Sequence, residues 1–258
     1  MKTKFRLKRL NPDDTRGLDK AVTKAKTAKL HERIGDLQPL LYANGTHAVL
    51  MIFQGIDASG KDGSVRSVLR EVNPAGVEVA NFKVPSEEER AHDFLWRVHR
   101  AVPRYGNIGV FNRSHYEAVL AERVLGIVPP EVWKPRYEQI VDWERMLAAN
   151  KVVLLKFFLH LSREEQARRF RERLNNPKKH WKFSPADLDV RKRWDDYAEA
   201  FEDMLNQTSH RAAPWHVIPA DHNWYRDHLI ARLVVDTLEA LDLKWPKAKA
   251  DFSKVKID

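Results

Sequence analysis

The sequence predicts an α/β protein in which a parallel sheet of five strands lies between helices on both faces. Three observations carry that expectation. Five short apolar runs, at 47–54, 77–82, 107–112, 151–160 and 215–220, alternate with helix-patterned segments, the order that builds consecutive β-α-β units. The runs at 47–54, 107–112 and 151–160 are near-continuously apolar, as expected of strands covered on both faces. A glycine-rich turn, Gly55-x-x-x-x-Gly60-Lys61, stands directly after the first run and before a helical pattern.

The first 18 or so residues read as an extended arm. From 19 to 42 the spacing of Leu30, Ile34, Leu37 and Leu41 predicts an amphipathic helix, ended by Ala43-Asn44-Gly45. "HAVLMIFQ" is the first strand, and the segment after the glycine-rich turn is a helix. "VEVANF" predicts the second strand. The segment 86–102 predicts one helix, with Ser86 and Glu89 placed as a capping box. "NIGVFN" is the third strand, and helices are expected over 117–125 and 131–147, split by Pro129-Pro130. "KVVLLKFFLH" is the strongest strand signal. A helix over 162–174 opens with a second box, Ser162 and Glu165, and a polar loop over 175–188 leads to a helix reaching 205. The fifth strand, "WHVIPA", precedes a last helix over 225–241. No internal repeat, low-complexity tract or interior linker interrupts the chain. We therefore expect one domain over 46–258, carrying an N-terminal arm and helix over 1–45.

Composition narrows the function classes. The 258 residues are 43% hydrophobic and 10% aromatic, enough for a substantial core, which excludes a disordered chain. There is no cysteine, so disulfides and thiolate metal sites are excluded, and a reducing cytoplasm is the expected location. No apolar run approaches the roughly 18 residues of a spanning helix, and the basic N-terminus lacks the apolar stretch of a signal peptide. Net charge is +9, and the segment from Arg163 to Arg193 holds 11 Lys and Arg against 5 Asp and Glu. A surplus concentrated in this way points to a polyanionic partner.

Four constellations carry the chemistry. The first is the turn, which matches seven positions of the phosphate-binding P-loop, G-x-x-x-x-G-K-[ST]. Gly55, Ala58, Ser59, Gly60, Gly63 and Ser64 would present backbone to phosphate oxygens, aided by the following helix N-terminus, and Lys61 would add charge between phosphates. The second is a pair of carboxylates in that cradle. Asp62 stands where the motif has a hydroxyl, and Asp57 lies inside the loop. Carboxylates beside phosphate repel it unless a divalent cation lies between them. Asp57 or Asp62 is therefore expected to hold Mg²⁺, with Mn²⁺ as a substitute; the competing reading is that Asp62 caps the helix. The third is "VFNRSHYE", with neutral Asn112 at a strand end and Arg113 able to grip a phosphate in bidentate fashion. His115 reads as a structural residue. The fourth is the basic stretch "ARRFRERLNNPKKHWKF", expected to form a lid over about 162–193 that supplies arginines to transferring phosphate. Its composition alone also suits a nucleic-acid groove.

Together these stretches resemble the polyphosphate kinase 2 family. The likeness rests on "GIDASGKDGSVRSVL", "NFKVPSEEERAHDFLWRVHRAVP", "IGVFNRSHYE", "LKFFLHLSREEQARRFRERLNNPKKHWKFSPADL" and "APWHVIPADHNWYRDHLI", with "NPDDT" near the start, and covers nearly the whole chain. It implies a three-layer α/β/α P-loop kinase fold like that of thymidylate kinase, with a helical lid. It also implies transfer of phosphoryl groups between inorganic polyphosphate and nucleotides. "FNRSHYE" is similar to the class III form, which acts on both mono- and diphosphates. By that likeness the substrates are AMP and ADP, or other purine nucleotides. Carried over residue by residue, Asp57, Lys61 and Asp62 would form the metal and phosphate site. Asn112, Arg113 and Glu117 would lie by the acceptor nucleotide, and Phe82 and Val84 beside its base. Arg169, Arg173, Lys179 and Lys182 would grip phosphate from the lid. The family also implies a homo-oligomer, dimer or tetramer, with no membrane or nucleic-acid partner. Two rivals stand beside this reading: an ATP-dependent nucleoside monophosphate kinase, which would usually keep Ser or Thr at position 62, and a non-catalytic polyanion- or RNA-binding protein.

Overall fold

The structure, a computed structural model, describes residues 4–247. Five strands, β1 (Ala48–Gln54), β2 (Val77–Asn81), β3 (Ile108–Asn112), β4 (Val152–His160) and β5 (Trp215–Pro219), form one parallel sheet in the order β2-β3-β1-β4-β5. The strand count and parallel sense are those the sequence predicts. All seven residues of β1 are buried, which explains its unbroken apolar run: both neighbours are strands and both faces carry helices. Chain order reverses at β1, with β2 and β3 on one side and β4 and β5 on the other. In an open α/β sheet that reversal leaves a crevice at the carboxyl end of the strand, where ligands bind.

Helices Lys20–Asn44, Lys61–Val68 and Asn223–Ala240 cover one face, and Arg136–Ala149 and Trp194–Thr208 the other. The N-terminal helix is fixed to its neighbours by buried polar contacts. Thr27 Oγ1 lies 3.0 Å from His228 Nδ1, and His31 Nε2 lies 3.3 Å from the Oγ of Ser67, which stands on the helix that follows the glycine-rich turn.

Several expected helices are shorter than periodicity suggested. The segment 86–102 is two single-turn helices, Glu87–Arg90 and Trp96–His99. Ser86 and Glu89 do form the full capping box, but Asp93 accepts from the Leu95 amide and turns the chain before a second turn can join. The expected helix over 117–125 is a 3-10 turn, His115–Ala118, followed by Ala121–Val124. That over 131–147 is Pro130–Trp133 and Arg136–Ala149, broken at Pro135, which has no N–H to donate to the preceding turn, while Lys134 before it keeps helical dihedrals. The loop over 175–188 contains a 3-10 helix, Pro177–Lys182, and the start of a helix, Ala186–Lys192. At Ser162 only half of the capping box exists. The serine accepts from the Glu165 amide, while the Glu165 carboxylate is drawn to Arg168 and Arg169.

β4 carries a charge that is fully buried in the core. Lys156 is fully buried, and its Nζ donates to Glu144 Oε2 (2.7 Å), Tyr116 Oη (3.0 Å) and the Thr208 carbonyl (2.8 Å), so all three ammonium protons are used. Tyr116 donates to Glu144 Oε1 at 2.6 Å, and His210 Nε2 lies 2.9 Å from Glu144 Oε2. Burial alone would raise the Glu144 pKa. The Lys156 charge, the neighbouring His115 and the contact with His210 outweigh it and hold this carboxyl well below the ordinary carboxylate range. Its stabilising contribution is therefore complete above its unfolded pKa of about 4.3 and is lost as pH falls towards the depressed folded value. Removing one partner leaves a buried, uncompensated charge. Lys156→Met should cost about 3–5 kcal/mol in urea unfolding at pH 7, and adding Glu144→Gln should restore part of that loss; equal stability of parent and single variant would refute the pairing.

Candidate active site

The site is built at the carboxyl end of β1. The chain leaves Gln54 through Gly55, where a Cβ would lie 2.8 Å from the Leu159 carbonyl oxygen, and enters the next helix at Gly60, with φ of 99°. Gly60 is the N-cap of helix Lys61–Val68, so Asp62 stands in its first turn and is not the cap. The loop curls over Lys61, whose Nζ donates to the Gly55 (2.6 Å) and Ile56 (3.3 Å) carbonyls. Burial pushes the Lys61 ammonium pKa down, opposed by the neighbouring Asp57 and reinforced by Arg113.

Both loop carboxylates reach across to the end of β3. Asn112 Nδ2 donates to Asp62 Oδ1 and Arg113 Nη2 to Asp57 Oδ1, each at 2.7 Å. Arg113 adopts a left-handed backbone, φ 62°, which a residue with a Cβ enters only at a cost. The turn is held by its amide, which donates to the Phe53 carbonyl (3.2 Å), and by buried Ser114, whose Oγ accepts from the Tyr116 amide (3.2 Å). With the Gln54 amide oriented to satisfy its surroundings, its nitrogen donates to Glu117 Oε1 (3.2 Å) and its oxygen accepts from Ser114 Oγ (3.0 Å). Burial raises the Glu117 pKa, against the pull of Arg113 and Lys61. His115 is buried beside Glu144, 3.6 Å from its carboxylate, and burial lowers its pKa, as befits a neutral core residue.

These elements enclose a basin of about 590 Å³. Asp57, Ala58, Gly60, Lys61, Asp62 and Gly63 form its floor, Phe82, Val84, Asn112 and Arg113 one wall, and Arg173 and Lys182 the lid side. A cleft of about 230 Å³ adjoins it, sharing Asp57, Phe82, Val84 and Arg113 and adding Gly55 and Glu117. Most of the residues expected from sequence thus meet in one place. Four lie differently. Ser59 and Ser64 are fully buried, with no hydrogen-bond partner for either hydroxyl among the described residues. The Arg169 guanidinium is turned onto backbone, donating to the carbonyls of Ala58 (2.8 Å), Ala220 (2.7 Å) and Asp221 (3.0 Å). Lys179 pairs with Glu172.

The structure adds Lys83, Trp181 and Asp187 to the basin wall. Burial and the charge of Asp57 raise the Asp187 pKa, and Arg173 lies 3.5 Å from it. Tyr197 lines the cleft, its hydroxyl pKa pushed up to about 12 by burial and by Glu117 and Asp57. Gln166 and Arg226 support the loop from behind. Lys83, Trp181, Asp187, Gln166 and Arg226 all sit within the stretches that carry the family likeness, but no spacing rule marks Arg226 as a partner of the loop.

A cradle of this kind suits phosphate. Among the described residues no three His, Cys, Asp or Glu side chains form a metal cage. Two carboxylates in a phosphate basin are nonetheless the donor set that suits Mg²⁺, which keeps waters and takes its other ligands from substrate phosphates.

A parallel sheet with this loop at its switch point, facing a basic lid, defines a P-loop phosphotransferase. The family model for polyphosphate kinase 2 matches residues 17–246. An AMP/ADP-polyphosphate phosphotransferase of Meiothermus ruber is 49% identical over 257 residues, spanning 99% of this chain and 96% of that one. An ADP-polyphosphate phosphotransferase of Rhodopseudomonas palustris is 46% identical, over 84% of this chain and 79% of its own. The crystal structure of polyphosphate kinase 2 from Arthrobacter aurescens TC1 superposes with a TM-score of 0.94 at 40% identity, covering 97% of this chain and 91% of that one. The chain belongs to the polyphosphate kinase 2 family.

The depressed Lys61 pKa predicts a pH dependence for anion binding. Affinity for tripolyphosphate, measured by calorimetry on free protein, should fall at alkaline pH as Lys61 loses its proton, beginning below the ordinary lysine pKa of about 10.4. Lys61→Arg should move that fall to higher pH. An unchanged profile would separate Lys61 from the bound anion.

Proposed function

We propose that the protein transfers the terminal phosphoryl group of inorganic polyphosphate to AMP and ADP, reversibly, in the presence of Mg²⁺ or Mn²⁺. The observation that carries this reading is the meeting of two cavities across one ion pair. The basin with the phosphate cradle and the smaller cleft share the Asp57–Arg113 pair as their common wall. A donor phosphate on the loop and an acceptor phosphate in the cleft would face each other there. The cleft continues past Val84, Pro85, Arg97, Glu122 and Ile127 into a further space of about 380 Å³, room for a nucleoside.

In this reading polyphosphate lies along the basin, its terminus on the loop amides and Lys61, and Arg173 and Lys182 neutralise the chain from the lid. Arg113 orients the acceptor phosphate. That phosphate is already ionised at neutral pH, so no side chain has to remove a proton. The residues contribute positioning and charge to a loose transition state. Asp57 and Asp62 would hold Mg²⁺, which supplies charge neutralisation between phosphates and carboxylates. Asp62 in place of a hydroxyl argues against an ordinary ATP-dependent monophosphate kinase, and the activities for which the two relatives are named support polyphosphate as donor. No described helix is long and apolar enough to cross a membrane. A cytoplasmic location and a dimer or tetramer complete the reading, the latter measurable by light scattering.

Purified protein with Mg²⁺, AMP and polyphosphate should yield ADP and then ATP. Lys61→Ala should lower kcat by about a thousandfold with the melting temperature preserved. Turnover with ATP alone as donor would replace this reading by the monophosphate kinase, and none with either donor by a polyanion-binding protein.

A further inference from the structure

Three consecutive carbonyls of the loop are held from outside by side chains. Gln166 Nε2 donates to Asp57 O (2.9 Å), Arg169 Nη1 to Ala58 O (2.8 Å) and Arg226 Nη1 to Ser59 O (3.5 Å). In a trans peptide the N–H points opposite to the C=O of the same plane, and the described chain has no cis bond. Holding Asp57 O and Ser59 O from behind therefore turns the amides of Ala58 and Gly60 the other way, and both residues line the basin. Neither amide has a hydrogen-bond acceptor among the described residues, whereas the Ser59 amide is used within the loop, donating to Ile56 O at 3.1 Å.

Arg226 is the least expected of the three. It is 2% exposed and rises from the first turn of the last helix. Nε and Nη2 grip Asp227 Oδ1 at 2.9 and 2.8 Å, and Nη1 donates to Asn223 Oδ1 at 2.7 Å. The ion so fixed presses on the loop. A Cβ at Gly60 would lie 1.9 Å from Nη1, and one at Gly63 would lie 3.2 Å from Nη2. Asn223 Oδ1 also accepts from Arg169 at 3.2 Å, which joins the two arginines behind the loop.

We propose that Arg226 is a positioning residue for phosphoryl transfer, a buried buttress that fills the space behind Gly60 and Gly63 and, with Gln166 and Arg169, keeps the loop amides aimed at phosphate. It touches no substrate and acts through the loop. The claim rests on the transfer reading above, yet loop geometry can be read without turnover. Arg226→Met keeps much of the side-chain volume and removes the ion. We expect kcat with polyphosphate and AMP to fall about a hundredfold, with KM for AMP within threefold, because AMP would bind beyond the Asp57–Arg113 pair. Arg226→Lys should recover part of the loss, and added guanidinium should restore Arg226→Ala at least about tenfold. Asp227→Asn, at a partly exposed site, provides a milder perturbation of the same buttress should Arg226→Met fold poorly, with an expected loss in kcat of about tenfold. Independently of turnover, tripolyphosphate should shift the amide NMR signals of Ala58 and Gly60 in the parent and much less in Arg226→Met. A parent inactive with polyphosphate but showing these shifts would overturn the transfer reading and leave the buttress standing. A folded Arg226→Met with kcat within threefold of the parent and parental amide shifts would overturn the buttress. So would losses in Arg226→Met and Asp227→Asn that track only the unfolded fraction.

Discussion

The site depends on two hydrogen bonds across the sheet, Asp57 to Arg113 and Asp62 to Asn112. An anion cradle with two carboxylates in it opposes itself electrostatically, and the loop has this shape because the opposite strand end supplies a cation and an amide. The β1–β3 register makes that possible. Phe53 lies opposite Asn112, so the residues that leave β3 arrive beside those that leave β1. The strained Arg113 backbone is the local cost of aiming its guanidinium at Asp57, offset by the amide bond to Phe53 and the Ser114 cap.

Each side of this junction is braced from behind. Beneath the Arg113 turn, Tyr116 and His115 sink into the Lys156–Glu144 cluster, where every ammonium proton is used and the tyrosine hydroxyl is fixed. Behind the loop stand Gln166, Arg169 and Arg226. The same chain segment carries both support and lid: Arg169 faces the loop backbone, while Arg173, one turn on, lines the basin. Motion at the lid tip therefore need not disturb the cradle, since the base of the helix is tied to the Ala58 carbonyl and to the end of β5 through Ala220.

Much of this was legible in the residues. The strands were, because burial on both faces forces unbroken apolar runs, and the cradle was, because its glycines and lysine stand at fixed spacing between strand and helix. Asn112, Arg113, Arg173 and Lys182 reach the basin as their motifs suggest. What sequence did not disclose depends on direction and distance. Periodicity joined 86–102 into one helix because it cannot register the Asp93 side chain capturing the Leu95 amide. Arg169 and Arg173 look alike in a charge count, yet one turn of helix sends them to different tasks. Arg226 lies 166 positions from Gly60, and only the fold shows that its guanidinium occupies the space a Cβ would need. Gly60 was legible as a phosphate-loop glycine; its second reason for being glycine was not.

The account stands on the two aspartates serving a metal shared with phosphate. Its most direct measurement is the Mg²⁺ dependence of turnover with polyphosphate and AMP in Asp57→Asn and Asp62→Asn, each checked for parental melting temperature. The Mg²⁺ concentration for half-maximal activity should rise about tenfold or more in at least one variant, with KM for AMP little changed. Parental Mg²⁺ dependence in both variants would contradict it.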